Sequence, residues 1–251
     1  MLKKRVLPTL LFKDFGLVKG VAFDSWRRIG SALQSIKVYN MRNVDELVFL
    51  DITATNEGRG PDFALIDDLA DECFMPLTVG GGVRELDDVR QLLRAGADKV
   101  AMNTAAVEQP ELIEQAARRF GVQCVVVSID ARKSEHGYEV FTHSGTKATG
   151  VTPVDAARNA ETLGAGEIII TSIERDGTLS GYDLELIASV TGAVDIPVVA
   201  SGGAGTYDHL ARAILEADAS AVAASSMFQF TEQTPQEAKN YLDAQGIPVR
   251  L

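Results

Sequence analysis

Thr78-Val-Gly-Gly-Gly-Val83 and Ala200-Ser-Gly-Gly-Ala-Gly205 are two versions of one element, an apolar run that ends in consecutive glycines. They lie near half a chain length apart. Each leads into a second matching stretch, Ala95-Gly-Ala-Asp-Lys-Val-Ala-Met-Asn-Thr104 in the first half and Glu216-Ala-Asp-Ala-Ser-Ala-Val-Ala-Ala-Ser-Ser226 in the second. A further echo links Leu47-Val-Phe-Leu-Asp-Ile-Thr53 to Ile168-Ile-Ile-Thr-Ser-Ile173. Self-similarity at this spacing marks a duplicated structural unit.

Working outward from the repeat, short β-rich segments alternate with longer stretches of helical period, the pattern of βα units around a parallel sheet. The strands predicted are Arg5–Leu11, Glu46–Asp51, Pro76–Val79, Lys99–Met102, Gln123–Ile129, Glu167–Thr171, Pro197–Ala200 and Ala221–Ala224. Several are near-continuous apolar runs, as strands covered on both faces require. Glu85–Ala95 and Pro110–Phe120 have helical period, with Gly96 and Gly121 as C-caps. Each half then holds four βα units, and two such halves close most simply into an α/β (β/α)8 TIM barrel with an internal half-barrel repeat. A doubly wound open sheet is the other arrangement, but no G-x-G-x-x-G follows the first strand. No linker or composition shift divides residues 1–251, so one barrel domain is expected.

The 251 residues carry a formal charge of −11, with 46% hydrophobic and 24% charged residues. Such acidity repels phosphate backbones and anionic lipid, which argues against nucleic-acid or membrane-surface binding as the main role. Any bound phosphate must therefore be held locally. The longest apolar runs, such as Cys124–Val127 and Ile168–Ile170, are far too short to span a bilayer. The basic-then-apolar start through Phe12 is ended by Lys13 and Asp14 with no small-residue cleavage site, so it reads as a first strand. Cys73 and Cys124 are too few for a disulfide framework or zinc site, and His136, His143 and His209 lack metal-ligand spacing. No metal or cofactor is expected, and a cytoplasmic location fits.

In a barrel, residues just after the strands form the active face. Gly80-Gly-Gly82 follows the third strand and Asn103-Thr104 the fourth; Gly202-Gly203 follows the seventh and Ser225-Ser226 the eighth. Glycines let backbone N–H groups approach a phosphate, and small polar residues add donors, although tight βα turns need glycine in any case. Two such cradles imply a ligand with a phosphate at each end. Asp51, Asp130 and Asp176 stand at strand ends, where a carboxyl with a raised pKa can act as general acid or base. Asp130 is expected at the top of the barrel interior, whereas a cap role is open for Asp130 and a turn role for Asp176.

Over essentially its whole length the chain resembles the cyclase subunit family of imidazole glycerol phosphate synthase. The matching segments are Asp45-Glu-Leu-Val-Phe-Leu-Asp-Ile-Thr-Ala54, Thr78–Val83, Ala95-Gly-Ala-Asp-Lys-Val100, Gly164-Ala-Gly-Glu-Ile168, Arg175-Asp-Gly-Thr178, Gly181-Tyr-Asp183 and Ala200–Gly205. The resemblance implies a carbon–nitrogen lyase of histidine biosynthesis. In it, ammonia from a glutaminase subunit, the partner in a heterodimer, crosses the barrel and reacts with a bis-phosphorylated ribulosyl formimino carboxamide ribonucleotide. The products are imidazole glycerol phosphate and an aminoimidazole carboxamide ribotide. It also implies phosphate contacts from Gly82, Asn103 and Thr104 at one end and Gly177, Gly203 and Ser225 at the other, with Lys19 closing over the ligand. Asp51, Ser144, Thr171, Asp176 and Ser201 would line the site, Asp130 would be catalytic, and Arg5, Glu46, Lys99 and Glu167 would form the ammonia gate. Two acids and two bases at strand starts also suit structural ion pairs.

The chain departs from the family in its first strand, Leu7-Pro-Thr-Leu-Leu-Phe-Lys-Asp14, where Leu11 stands at the position of a second catalytic aspartate. Half-barrel symmetry gives the same pairing of Leu11 with Asp130. Leucine transfers no proton, and loss of a general acid or base costs on the order of 10²–10⁴ in rate. Asp14, at an odd offset in extended chain, points to the other face. Trp26-Arg-Arg-Ile-Gly-Ser-Ala32 also replaces the family's usual acidic Gly-Asp-Pro loop. Similar paralogues with a leucine-rich first strand and a segment like Asp71-Glu-Cys-Phe-Met-Pro76 serve amidation of acylated sugars in surface-polysaccharide synthesis. The second expectation is therefore an ammonia-channelling subunit for another acceptor, and a third is an inactive phosphate-binding regulator.

Overall fold

The structure, a computed structural model, describes residues 2–135 and 137–251, so His136 lies outside the described residues. Its strands are β1 (Arg5–Lys13), β2 (Gly16–Val21), β3 (Asp24–Gly30), β4 (Leu47–Asp51), β5 (Leu77–Gly80), β6 (Lys99–Met102), β7 (Val125–Ser134), β8 (Gly137–Thr142), β9 (Lys147–Ala148), β10 (Glu167–Ser172), β11 (Val198–Ser201) and β12 (Ala221–Ala224). The helices are α1 (Ala32–Met41), α2 (Phe63–Ala70), α3 (Leu86–Arg94), α4 (Thr104–Glu108), α5 (Glu111–Phe120), α6 (Pro153–Thr162), α7 (Leu184–Thr191), α8 (Tyr207–Leu215), α9 (Ser226–Phe230) and α10 (Pro235–Ala244).

Eight strands close into a parallel barrel in the order β1-β4-β5-β6-β7-β10-β11-β12 and back to β1. This is the (β/α)8 architecture expected from the repeat. The remaining strands belong to two antiparallel extensions that the sequence reading missed. β2 and β3 form a hairpin on β1, and β8 and β9 extend β7. Both lie at the C-terminal mouth, and β7 runs on to Ser134 because β8 supplies its edge partners.

Helix starts are set by local chemistry. Thr152, Thr206 and Thr234 each accept a backbone N–H at an N-cap, and Pro153 and Pro235 stand at the first turn, where no amide partner is lost. α3 opens on a reciprocal box between Glu85 and Asp88 and closes with Arg94, matching the helix dipole. No helix among the described residues is long and apolar enough to cross a membrane.

Side chains alternate between the barrel interior and the helix layer. Leu7, Val48, Ala101, Val126, Ile169, Val199, Ala221 and Ala223 form the inner cluster, while the larger cluster lies between strands and helices. Stepping by two from these inner residues locates the two ends of the barrel. Below them come Arg5, Glu46, Lys99 and Glu167. Above them come Leu11, Ser128, Asp130 and Thr171.

Candidate active site

The C-terminal mouth holds a cavity lined by residues of seven barrel strands and of the turn that follows β5. Leu11, Lys19, Asp51, Gly82, Asn103, Thr104, Asp130, Ser144, Thr171, Asp176, Gly177, Ser201, Gly203 and Ser225 all line it. The two glycine elements thus meet at the same mouth, with Asp130 on the wall they share. At Gly82 φ is +75°, and a Cβ would stand 2.9 Å from Ala54 Cβ and from the Arg59 carbonyl. At Gly203 φ is +114°, and a Cβ would fall 2.2 Å from the Gly181 carbonyl. Only glycine fits either place, because each backbone is pressed against the loop after the preceding barrel strand.

The polar residues beside the cradles are largely occupied. Asn103 Nδ2 donates to the carbonyls of Ser128 (3.1 Å) and Phe141 (3.2 Å). Thr104 Oγ1 accepts the His143 backbone N–H at 3.0 Å and donates to Asn103 Oδ1. These side chains therefore tie the β8–β9 turn to the first cradle. Ser144 extends the tie by donating to the Ile52 carbonyl at 2.6 Å. At the second cradle, Ser225 Oγ donates to Gln229 Oε1 at 3.3 Å. Neighbouring Ser226 differs: its buried Oγ has no hydrogen-bond partner among the described residues. A buried hydroxyl left unpaired costs about 1–3 kcal/mol.

Asp130 is half-buried, and its carboxyl is pushed up to about 7. Burial is the main cause and the negative charge of Asp176 the second, while a hydrogen bond with Thr171 opposes them. A carboxyl in that range exchanges protons at neutral pH. Across the mouth, Leu11 is 7% exposed and lines the same cavity, in register with Leu50 of β4 and Val18 of β2. Asp14 is exposed in the β1–β2 turn, with φ +56°.

Asp51 has a different environment from Asp130. It follows Leu50, an inner residue, so its parity directs it toward the loop side. There its carboxylate accepts the backbone N–H groups of Thr53 (3.0 Å) and Ala54 (3.1 Å) and the Thr53 hydroxyl (3.0 Å). Arg59 grips it through both terminal nitrogens at 2.7 and 3.1 Å, and the hydrogen bond to Asp51 is the first cause holding the guanidinium above its ordinary pKa. With these partners Asp51 is a loop anchor rather than a free acid or base. Arg59 is a residue the sequence reading missed, since nothing in its sequence spacing from Asp51 signals the pairing.

The β2–β3 hairpin roofs the cavity with Phe23 and Trp26. Lys19 on β2 is buried and binds Asp176 through both carboxylate oxygens at 2.6 and 2.8 Å, and the Ala22 N–H donates to the Asp176 carbonyl at 2.8 Å. Lys19 is the one Lys or Arg among the described residues lining the cavity, and that ion pair consumes its charge.

At the opposite end, the four predicted gate residues form a closed ring. Arg5 pairs with Glu46 at 2.6 Å and with Glu167, and Lys99 pairs with Glu46 at 2.9 Å and Glu167 at 2.6 Å. Thr78 Oγ1 adds a 2.7 Å bond to Glu46. Burial of Glu167 works against its charge, but Arg5 and Lys99 outweigh it and hold the carboxyl below its ordinary value. His143 sits in the β8–β9 turn, and His209 is on α8, where Nδ1 accepts the Gly205 N–H at 3.2 Å. Neither of them lines the cavity.

Among known proteins, the family model described as "Histidine biosynthesis protein" matches residues 5–233. The imidazole glycerol phosphate synthase subunit HisF of Hyphomonas neptunium is 52% identical over 250 residues, covering 100% of this chain and 99% of that protein.

Proposed function

The chain belongs to the histidine biosynthesis protein family, and from that premise we propose that it is a HisF-type cyclase subunit acting with a glutaminase partner in a cytoplasmic heterodimer. In this reading one barrel domain, residues 1–251, takes up ammonia released by the partner at the ring of Arg5, Glu46, Lys99 and Glu167. Opening of the ring's ion pairs would admit a small neutral molecule. The apolar layer of Leu7, Val48, Val126, Ile169 and Val199 above it accepts neutral ammonia far better than ammonium, which would shed its hydration at high cost.

The substrate is a bis-phosphorylated ribulosyl formimino carboxamide ribonucleotide, with one phosphate at Gly82, Asn103 and Thr104 and the other at Gly177, Gly203 and Ser225. Asp130 carries the proton transfers of carbon–nitrogen bond cleavage and ring closure, giving imidazole glycerol phosphate and an aminoimidazole carboxamide ribotide. The observation that carries this reading is the place of the Asp130 carboxyl, on the wall of one cavity that both glycine elements line, where burial and Asp176 raise its pKa.

A second reading is favoured by Leu11. Where the family has a second aspartate, the cavity wall is aliphatic, so only one side of the mouth offers a proton-transfer group. The chain would then conduct ammonia for amidation of another acceptor, such as an acylated sugar. One experiment separates the two: the ribulosyl intermediate is supplied with ammonium salt, and imidazole glycerol phosphate is followed for the natural chain and for Leu11→Asp. Turnover by the natural chain near the Leu11→Asp level supports the cyclase, and turnover only after substitution refutes it. Glutamate release on mixing with candidate glutaminases tests the partnership.

A further inference from the structure

The protein is strongly acidic, and Lys19, the one Lys or Arg among the described residues at the cavity wall, is committed to Asp176. A phosphate at the second cradle must therefore be held chiefly by neutral donors: backbone N–H groups and hydroxyls. Among the candidate hydroxyls, Thr104 is engaged with His143 and Asn103. Ser225 is engaged with Gln229 inside its own helix. Ser226 differs in being 5% exposed and lining the cavity with a buried Oγ that has no hydrogen-bond partner among the described residues.

Native proteins rarely leave a buried hydroxyl unpaired, and such groups concentrate where a ligand completes them. The residue is not forced on the chain by packing, because alanine would fill nearly the same space without the unpaired oxygen. We propose that the Ser226 hydroxyl is a ligand-binding group of the second cradle, donating a hydrogen bond to a non-bridging oxygen of the phosphate held there. This rests on the phosphate reading of the cradles and adds a hydroxyl contact to those proposed above.

The test measures inorganic phosphate binding by calorimetry and ³¹P NMR, together with thermal unfolding, for the natural chain, Ser226→Ala and Ser226→Thr. The natural chain is expected to show two phosphate sites. Ser226→Ala weakens one of them about tenfold, the size of one hydrogen bond to a charged acceptor, and spares the other. Ser226→Thr, which keeps the hydroxyl, retains most of the affinity.

The stability readout separates a ligand group from a structural one. Without phosphate, Ser226→Ala should unfold at the same temperature as the natural chain or higher, since the substitution removes an unpaired oxygen. With phosphate, its transition should rise less. Two intact sites in Ser226→Ala overturn the proposal, as does a loss of ligand-free stability accompanied by equal weakening of both sites, which marks a structural hydroxyl. No phosphate binding by the natural chain refutes the phosphate reading of the cradles itself, and this inference with it.

Discussion

Replacing Asp130 by Asn removes the ionisable carboxyl while keeping shape and a polar contact for Thr171. Raising an aspartate from its ordinary 3.8 to about 7 means that the folded state holds the proton more tightly than the unfolded chain. Between those pH values the native state binds more protons, so stability of the natural protein falls as pH rises. The loss is complete above pH 7 and absent below about pH 4. At 1.36 kcal/mol per tenfold change it amounts to about 4 kcal/mol, an upper figure because the half-buried carboxyl keeps some access to water at the mouth. Asp130→Asn should therefore be more stable than the natural chain by up to about 4 kcal/mol at pH 8, with the gap closing as pH falls toward 4. Urea unfolding of both proteins at half-unit pH steps measures it, and cyclase turnover of the variant should be lost over the same range. A stability gap that is constant with pH, or one that favours the natural chain at pH 8, would refute the assignment of a raised carboxyl.

Other substitutions probe the rest of the site. Arg59→Gln should free Asp51 and loosen the loop that abuts Gly82, weakening phosphate at the first cradle about tenfold while the second is unaffected; calorimetry with inorganic phosphate decides it, and Arg59→Lys should recover only part because it cannot grip two oxygens. Gly203→Ala combines φ +114° with a 2.2 Å approach to the Gly181 carbonyl and should cost at least about 2 kcal/mol in urea unfolding, with loss of one phosphate site. Glu167→Gln strips Arg5 and Lys99 of a shared acid and should lower stability by about 3 kcal/mol; an unchanged denaturation midpoint would mean that the ring contributes nothing to the barrel floor.

The inside-out order of the barrel was legible from alternation alone. Arg5, Leu7 and Leu11 on β1, and Val126 and Asp130 on β7, share a face because strand side chains repeat every two residues, so a charged floor, an apolar layer and a functional rim follow from spacing. The glycine repeat likewise revealed both cradles, since few other residues tolerate such turns. The β2–β3 hairpin was hidden by its exposed face, where Arg27 and Arg28 interrupt an apolar pattern, and its order depends on distant contacts such as Lys19 with Asp176. Most strand ends differed from the expected ones by a residue or two, and the end of β7 by five because β8 pairs with it. Pro76 and Pro197 lack the N–H that a ladder needs, and pairing begins at Leu77 and Val198.

From its own sequence this protein declares a duplicated eight-fold α/β pattern, the residues that share each face of each strand, and Leu11 at the first-strand place that Asp130 occupies in the fifth. These are local properties, set by periodicity and backbone chemistry within a few residues. Only the closed barrel decides which polar groups are used up and which are left over: Lys19 bound by Asp176, Thr104 by the His143 N–H and Ser144 by the Ile52 carbonyl, with Asp130 and Ser226 still available at the cavity. The physical reason is that hydrogen-bond satisfaction and desolvation depend on atoms brought together from distant parts of the chain.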